Sequence, residues 1–352
     1  MNSTLETIIK TSKAEQNSSS YKNYLEVRKS VCSMLDRMQD KAAPSSYWQE
    51  EISGFSYMFD ASPLIISKLR HQCYHITGLK VYDYRTSQLK KRAQLEKKLL
   101  MLNQQGFEEL LVPESQKLGG FGYNINGGLI NIDTLKFYEV FIALKKAGLI
   151  DRFRDQSERI SIIEIGAGWG GFAYQFKTLF PEVNYIIIDL PQTMLFSGTY
   201  LKTVFPNSKM IMIENKVPPR LQDYDFVFIP HFLQNNLTLT NFNAVINMVS
   251  FQEMTSSQVE EYVQMAVRLK SDFLYSLNRD RSHHNNELST VSSILKKFGK
   301  VEEIRILDLQ YTQFKKKGRN LRTKAKEFIR QSLLKQKTKP HNAYRHYFLN
   351  MK

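Results

Sequence analysis

Glu164-Ile165-Gly166-Ala167-Gly168-Trp169-Gly170-Gly171 is the stretch that decides the fold. Just before it, Ile160 to Ile165 is a short apolar, β-branched run, read as a buried strand. Just after it, Phe172 to Phe180 reads as a helix stopped by Pro181. A glycine-rich turn that leaves a strand and enters a helix is where a nucleotide-binding loop must sit. Gly166 and Gly168 let the backbone turn sharply and approach a ligand, and Gly170 and Gly171 free the helix start for close packing. Further on, Asp189 ends a second buried strand, Tyr185 to Ile188. A carboxylate there can accept hydrogen bonds from both hydroxyls of an adenosine ribose.

The alternation continues past Asp189. Leu190 leads into a helix from Pro191 to Val204, with proline at its first turn. Lys209 to Ile213 and Phe226 to Ile229 are strands, either of which can be the third member of the sheet. Phe242 to Met248 is a fourth strand, Ser256 to Leu269 a helix, Phe273 to Leu277 a fifth strand and Leu288 to Phe298 a helix. Val301 to Leu307 and Arg345 to Met351 close the chain as two strands. Repeated βαβ units imply a parallel sheet covered by helices on both faces, and a closing pair suits an antiparallel edge. The expected class is α/β: a Rossmann-like sheet, mostly parallel with an antiparallel last strand, behind a helical N-terminal region.

That region, 1–130, carries apolar residues at helical spacing over Tyr24 to Met38 and Leu89 to Leu102. It is read as a lid, a substrate-binding part or a dimerisation surface. Residues 131–352 are read as the ligand-binding domain, after a helix from Ile132 to Ala147. Between them, Leu118 to Gly128 holds five glycines and two asparagines. It is either a connector or a loop that brings Tyr123 and Asn124 to a substrate.

Two cofactors compete for the glycine loop. Gly166, Gly168 and Gly171 also meet the dinucleotide spacing, so NAD must be weighed. Three features favour S-adenosylmethionine (SAM). Glu164 sits two residues before the first glycine, where its charge suits a sulfonium and an ammonium but has no use beside a pyrophosphate. The sheet ends in two strands, as methyltransferase sheets do, and no second nucleotide half is visible. The expected cofactor contacts are Glu164, Gly166, Ala167, Gly168, Trp169, Asp189, Leu190 and Asn247.

Candidate chemistry follows from strand ends. The fourth strand delivers Asn247, Ser250 and Glu253 to the carboxyl edge of the sheet, where ligands bind in open α/β folds. Transfer to a hydroxyl needs a base, and Glu253, His231 and His283 are the candidates. Glu253 equally suits a cap or ion pair on the following helix, and a lone histidine at a strand end, such as His231, is more often structural. Ser250 and Arg279 are expected substrate contacts. No spacing of ligands suggests a metal.

At 352 residues, with 42% hydrophobic and 24% charged residues, the chain has the make-up of a globular protein able to bury a proper core. Cys32 and Cys73 show no metal or redox spacing, and two free thiols in a reducing cytoplasm are favoured over one bridge. No run reaches the roughly 18–20 apolar residues of a membrane span, and the polar N-terminus has no signal-like stretch, so a cytoplasmic location is expected. The net charge of +15 is concentrated: Gln310 to Lys352 holds thirteen Lys or Arg against one acid, Glu327. Such a block suits a polyanionic neighbour or is a solvated basic helix.

With these residues assembled, the chain resembles the sugar O-methyltransferases of bacterial surface-glycan gene clusters, which are class I SAM-dependent methyltransferases. The likeness rests on Glu164 to Gly171, on Ile188-Asp189-Leu190-Pro191, on Asn247-Met-Val-Ser250-Phe-Gln-Glu253-Met254, and on the tyrosine and asparagine of Leu274-Tyr275-Ser276-Leu277-Asn278-Arg279. It covers about Gly119 to Asn278, with a looser likeness around Leu69-Arg70 and Thr77-Gly78. The resemblance implies methylation of a sugar hydroxyl on a nucleotide-linked, lipid-linked or growing glycan. Some sugar methyltransferases use magnesium, held by an acid and histidines beside the acceptor; no such set maps onto this chain, so no metal is expected, and a homodimer is a further expectation. The basic stretch, an insertion near 312–342, lies outside that likeness; residues 315–339 are expected to touch the anionic inner membrane face. Two alternatives stay open. One is an RNA methyltransferase, against which stand the missing Asn-Pro-Pro-Tyr segment and the lack of aromatic interleaving, so nucleic acid is not the expected partner. The other is a non-catalytic scaffold, against which stand the intact Gly166, Gly168 and Asp189.

Overall fold

The computed structural model describes residues 3–38, 44–280, 288, 290–307 and 344–351. His283, with the rest of 281–287, and the basic stretch 312–342 lie outside the described residues. The chain opens with helices α1 (Ser3–Gln16), α2 (Ser19–Arg37) and α3 (Ser46–Phe55). Three short turns of helix follow, α4 (Pro63–Ile66), α5 (Leu69–Gln72) and α6 (Tyr74–Thr77), and then α7 (Leu89–Asn103). Helix α2 starts five residues earlier than its apolar pattern suggested, because Ser18 caps it, accepting from the Tyr21 amide at 3.2 Å. Tyr24, Val27, Val31 and Met34 then fall on one buried face.

The glycine-rich segment is not a bare loop: β1 (Tyr123–Ile125) and β2 (Gly128–Ile130) pair as an antiparallel hairpin. Helices α8 (Ile132–Lys146), entered through a capping box of Asn131 and Thr134, and α9 (Leu149–Asp155) lead into the main sheet. Its elements in chain order are β3 (Ser161–Ile165), α10 (Gly171–Leu179), β4 (Asn184–Asp189), α11 (Pro191–Val204), β5 (Met210–Met212) and β6 (Phe226–Pro230). Then come β7 (Ala244–Met248), α12 (Ser256–Arg268), β8 (Phe273–Arg279), α13 (Val291–Leu295), β9 (Val301–Ile304) and β10 (Tyr344–Asn350).

The eight strands run in the order β5-β6-β4-β3-β7-β8-β10-β9. All neighbouring pairs from β5 to β8 are parallel, and β10 lies antiparallel between β8 and β9. The choice between two third strands is thereby resolved. β6 takes the place beside β4, and β5 is an added parallel edge. Burial explains the near-continuous apolar runs of β3 and β4, where Ile162, Ile163, Ile165, Ile186, Ile187 and Ile188 are fully enclosed between helical layers.

The helical region shares its core with the sheet. Tyr24, Val27, Val31 and Met34 of α2 join Phe196, Tyr200 and Leu201 of α11 in one buried cluster. Farther along, the buried Lys98 of α7 pairs with Glu139 of α8 at 3.1 Å. Glu139 in turn meets His346 Nε2 of β10 at 3.2 Å, and His346 Nδ1 lies 2.7 Å from the Tyr275 hydroxyl of β8. Among the described residues, no helix is long and apolar enough to cross a membrane. Cys32 and Cys73 are free thiols.

Candidate active site

The parallel strands end together, and their carboxyl edge opens into a cavity of about 800 Å³. The glycine turn forms its rim. Gly166 and Gly168 both stand in the left-handed region, at φ +73° and +59°. A Cβ on Gly166 would fall 2.4 Å from Ser250 Oγ, and one on Gly168 would fall 2.8 Å from Ile76 Cγ2. Glycine is therefore required here both by backbone conformation and by close approach.

Asp189 ties this turn to the end of β4. Its Oδ2 accepts from the Gly168 amide at 2.9 Å and its Oδ1 from the Leu190 amide at 2.7 Å. Burial pushes its carboxyl up to about 6, opposed by the nearby Thr193 hydroxyl and by the backbone amides of the turn. A carboxylate has roughly four acceptor positions, so lone pairs remain for a ligand's hydroxyls.

Glu164, the penultimate residue of β3, forms the floor. It is only 1% exposed, its Oε2 accepts from the Tyr185 hydroxyl at 2.9 Å, and burial pushes its carboxyl up to about 8. Lys136 of α8, which lines the same cavity, pulls the other way, and it pairs with Asp133 at 2.9 Å.

Trp169 walls the turn from the side. Its indole donates to Asp133 Oδ2 at 3.1 Å, and the guanidinium of Arg70 lies 3.5 Å from its ring centroid. Arg70 is itself buried and makes a two-pronged pair with Glu114, at 2.8 and 3.1 Å. The helical region thus braces the glycine turn from behind.

The opposite wall follows β7. Val249 is β-branched yet sits at φ +65°, a conformation that costs about 1–3 kcal/mol and concentrates at functional sites. It turns the chain so that Ser250, Glu253 and Met254 face the cavity. The start of α12, which follows, is fixed by a capping box of Thr255 and Gln258, and Glu261 and Tyr262 extend this wall. His231, directly after β6, lines the cavity near Leu190.

Gly166, Ala167, Gly168, Trp169, Glu164, Asp189, Leu190, Ser250, Glu253 and His231 are thus brought together. Four other expected contacts are not. Asn247 is wholly buried and spends its amide internally: Nδ2 donates to Ile165 O at 3.0 Å, and Oδ1 accepts from Asn278 Nδ2 at 2.7 Å. It fixes the end of β7 rather than lining the cavity. Tyr123 points back into the helical region, donating to the carbonyls of Asp83 and Gln88 at 2.6 and 3.1 Å. Asn124 is exposed on the same hairpin, outside the cavity lining. Arg279 is also outside it, with its guanidinium 4.5 Å from the Tyr344 ring centroid.

The structure adds Arg37, Ser45, Trp48, Ile76, Thr77 and Lys136 to the lining. All come from helices before the first strand of the sheet, or, for Ser45, from the cap of one. Thr77 lies in a stretch of faint family likeness, but helical spacing alone marks none of them as site residues. Cavity-lining acids (Glu164, Asp189, Glu214, Glu253, Glu261) outnumber the lining cations Arg37 and Lys136 among the described residues. A buried carboxylate beside the glycine turn fits a cationic cofactor and opposes a pyrophosphate. Among the described residues, no three His, Cys, Asp or Glu side chains cluster as a metal site.

A parallel sheet whose last strand inserts antiparallel between its two predecessors, with an acid before the glycine turn and another at the next strand end, has one reading. The fold is the Rossmann-like class I methyltransferase fold. No protein-family model matches this chain, and no curated protein matches it in sequence. Solved structures do match. The CMeT domain of the citrinin polyketide synthase is 13% identical with a TM-score of 0.37, over 63% of this chain and 53% of that one. Precorrin-6y C5,15-methyltransferase from Geobacter metallireducens GS-15 is 14% identical with a TM-score of 0.35, over 59% and 87%. WbdD is 10% identical with a TM-score of 0.36, over 62% and 39%. This chain thus matches about half the length of the first of these. The assignment of the fold rests on the strand order and not on these distant likenesses.

Proposed function

We propose that this chain is a SAM-dependent O-methyltransferase acting on a sugar hydroxyl of a nucleotide-linked, lipid-linked or growing glycan. The observation that carries the cofactor is Glu164: a carboxylate 1% exposed at the floor of a cavity, beside a glycine turn, has a physical use when a cation sits against it. The acceptor class is supported by the sequence resemblance and by a cavity poor in cations, which disfavours a polyanion at the reacting end.

Bound SAM supplies a methyl group on a positively charged sulfur, which an acceptor oxygen displaces directly. The protein's own tasks are then three. Gly166 and Gly168 let the backbone come close to the ligand, and Asp189 offers its free lone pairs to hydroxyls. Glu164 opposes positive charge at the floor. Glu253 stands on the far wall as the group that takes the hydroxyl proton, with His231 as the second candidate on the same cavity.

The test is transfer of labelled methyl from SAM to nucleotide sugars and to lipid-linked glycans, with an RNA pool beside them. Methylated sugar is the expected product. Label appearing in RNA instead would replace the sugar reading with RNA methylation. For residues 315–339 we propose contact with an anionic membrane face, as expected of a basic block. Replacing Lys315, Lys316, Lys317, Lys324 and Lys326 by Gln should weaken binding to anionic vesicles at low salt; unchanged binding would remove that proposal.

A further inference from the structure

We infer that Lys136 is a specificity-determining residue whose ammonium binds a ligand carboxylate inside the cavity. On the SAM reading of this site, on which the inference rests, that carboxylate belongs to the cofactor's amino-acid end.

Glu164 near the end of β3 and Lys136 in α8 line the same cavity from different elements. The side chain of Lys136 is only 13% exposed, so it faces the cavity and not open solvent. The other Lys or Arg of the lining among the described residues, Arg37, is exposed at the end of α2.

Asp133 holds Lys136 in place without depending on it alone. Asp133 Oδ1 lies 2.9 Å from Lys136 Nζ, while Oδ2 accepts from the Trp169 indole at 3.1 Å and lies 3.5 Å from Arg70 Nη2. Asp133 also stands in the first turn of α8, where the helix dipole favours an acid. An ammonium carries three donors on a flexible stem, so Lys136 can keep Asp133 and still meet a ligand carboxylate.

The amino-acid end of SAM carries an ammonium and a carboxylate on one carbon. The lining is otherwise acidic, and Asp189, Glu253 and Glu261 oppose a bound carboxylate. Taking that carboxylate out of water needs a compensating cation, which Lys136 supplies. Glu164 and Lys136 together give the cavity both signs of charge, matching a zwitterion better than a lone cation.

Calorimetric titration of the full chain with SAM and with decarboxylated SAM, which keeps the sulfonium and ammonium but lacks the carboxylate, tests this. The wild type should bind SAM about 10- to 100-fold more tightly than decarboxylated SAM, the range for a hydrogen bond between charged groups. Lys136→Met should lose that margin and bind the two ligands alike, and Lys136→Arg should keep most of it. Should Lys136→Met fail to fold, Lys136→Gln takes its place. Equal affinities in the wild type, or a margin that survives in the Met or Gln variant, overturn the inference and leave the cofactor reading standing. A carboxylate supplied by the acceptor instead would show as SAM affinity unchanged in the Met or Gln variant, which also overturns it. Binding of neither ligand to the wild type would refute the cofactor proposal, and this inference with it.

Discussion

The Tyr185 hydroxyl donates to Glu164 Oε2 at 2.9 Å, diagonally across the paired strands β4 and β3. Beside that neutral donor, Lys136 favours the charge on Glu164, and Lys136 is already paired with Asp133. In the proposed function the pair is a cation site held ready at a cost in stability. The folded carboxyl titrates near 8, above its ordinary 4.5, so its stabilising contribution is complete below pH 4.5 and is lost as pH rises towards 8.

Glu164→Gln should therefore become more stable relative to the wild type as pH rises from about 5 to 8, while binding SAM about 10- to 100-fold more weakly, the range expected when a charged hydrogen-bonding partner is lost. Urea unfolding at several pH values and calorimetry measure the two effects. Binding at pH 7 should also release protons in the wild type and not in the variant, seen by repeating the titration in buffers of different ionisation enthalpy.

The glycine turn gives a second prediction. Gly168→Ala should lose about 1–2 kcal/mol from its left-handed backbone alone. Gly166→Ala should lose more, because its Cβ would fall 2.4 Å from Ser250 Oγ. Combining it with Ser250→Gly should recover part of that loss, since the clash is with the serine side chain. Denaturant midpoints of the single and double variants check this.

Asp189→Ala removes the acceptor of two backbone amides, Gly168 and Leu190, each left unsatisfied at a cost of about 1–3 kcal/mol if water does not replace it. SAM binding should vanish. Asp189→Asn keeps one acceptor oxygen and should fall between the two. Calorimetry and thermal unfolding of the three proteins order them.

Behind the turn, Arg70→Met should destabilise the protein by about 3–5 kcal/mol, because Glu114 is left buried without its cation. Arg70→Met with Glu114→Gln should lose less than Arg70→Met alone. Urea unfolding gives both values. Weaker SAM binding in Arg70→Met is a further expectation, since Trp169 loses the guanidinium stacked on its ring.

The strand-loop-helix logic around Glu164 to Gly171 was legible because glycine at a strand end has few other uses, and because the buried strands are long apolar runs between turn residues. What escaped has identifiable physical reasons. Asn247 looks like a ligand contact by its place at a strand end, but a fully buried amide must satisfy both its ends: Ile165 and Ser250 accept from its Nδ2, and Asn278 donates to its Oδ1. Tyr123 and Asn124 lie in a glycine-rich stretch whose flexibility was read as access to ligand, whereas the glycines serve a tight hairpin. Trp48 and Lys136 were invisible because their role depends on which helix the fold sets over the sheet edge, and helical periodicity carries no such information. The third-strand ambiguity between Lys209–Ile213 and Phe226–Ile229 fell for the same reason: both are good strands, and only pairing decides their order.

The most direct measurement is calorimetric titration of the purified chain with SAM, beside Gly166→Arg, Asp189→Ala and an NAD control. Saturable binding of SAM to the wild type, lost in both variants, with no heat from NAD, is the predicted result. Binding of NAD in place of SAM would contradict the cofactor proposal and make this chain a candidate oxidoreductase.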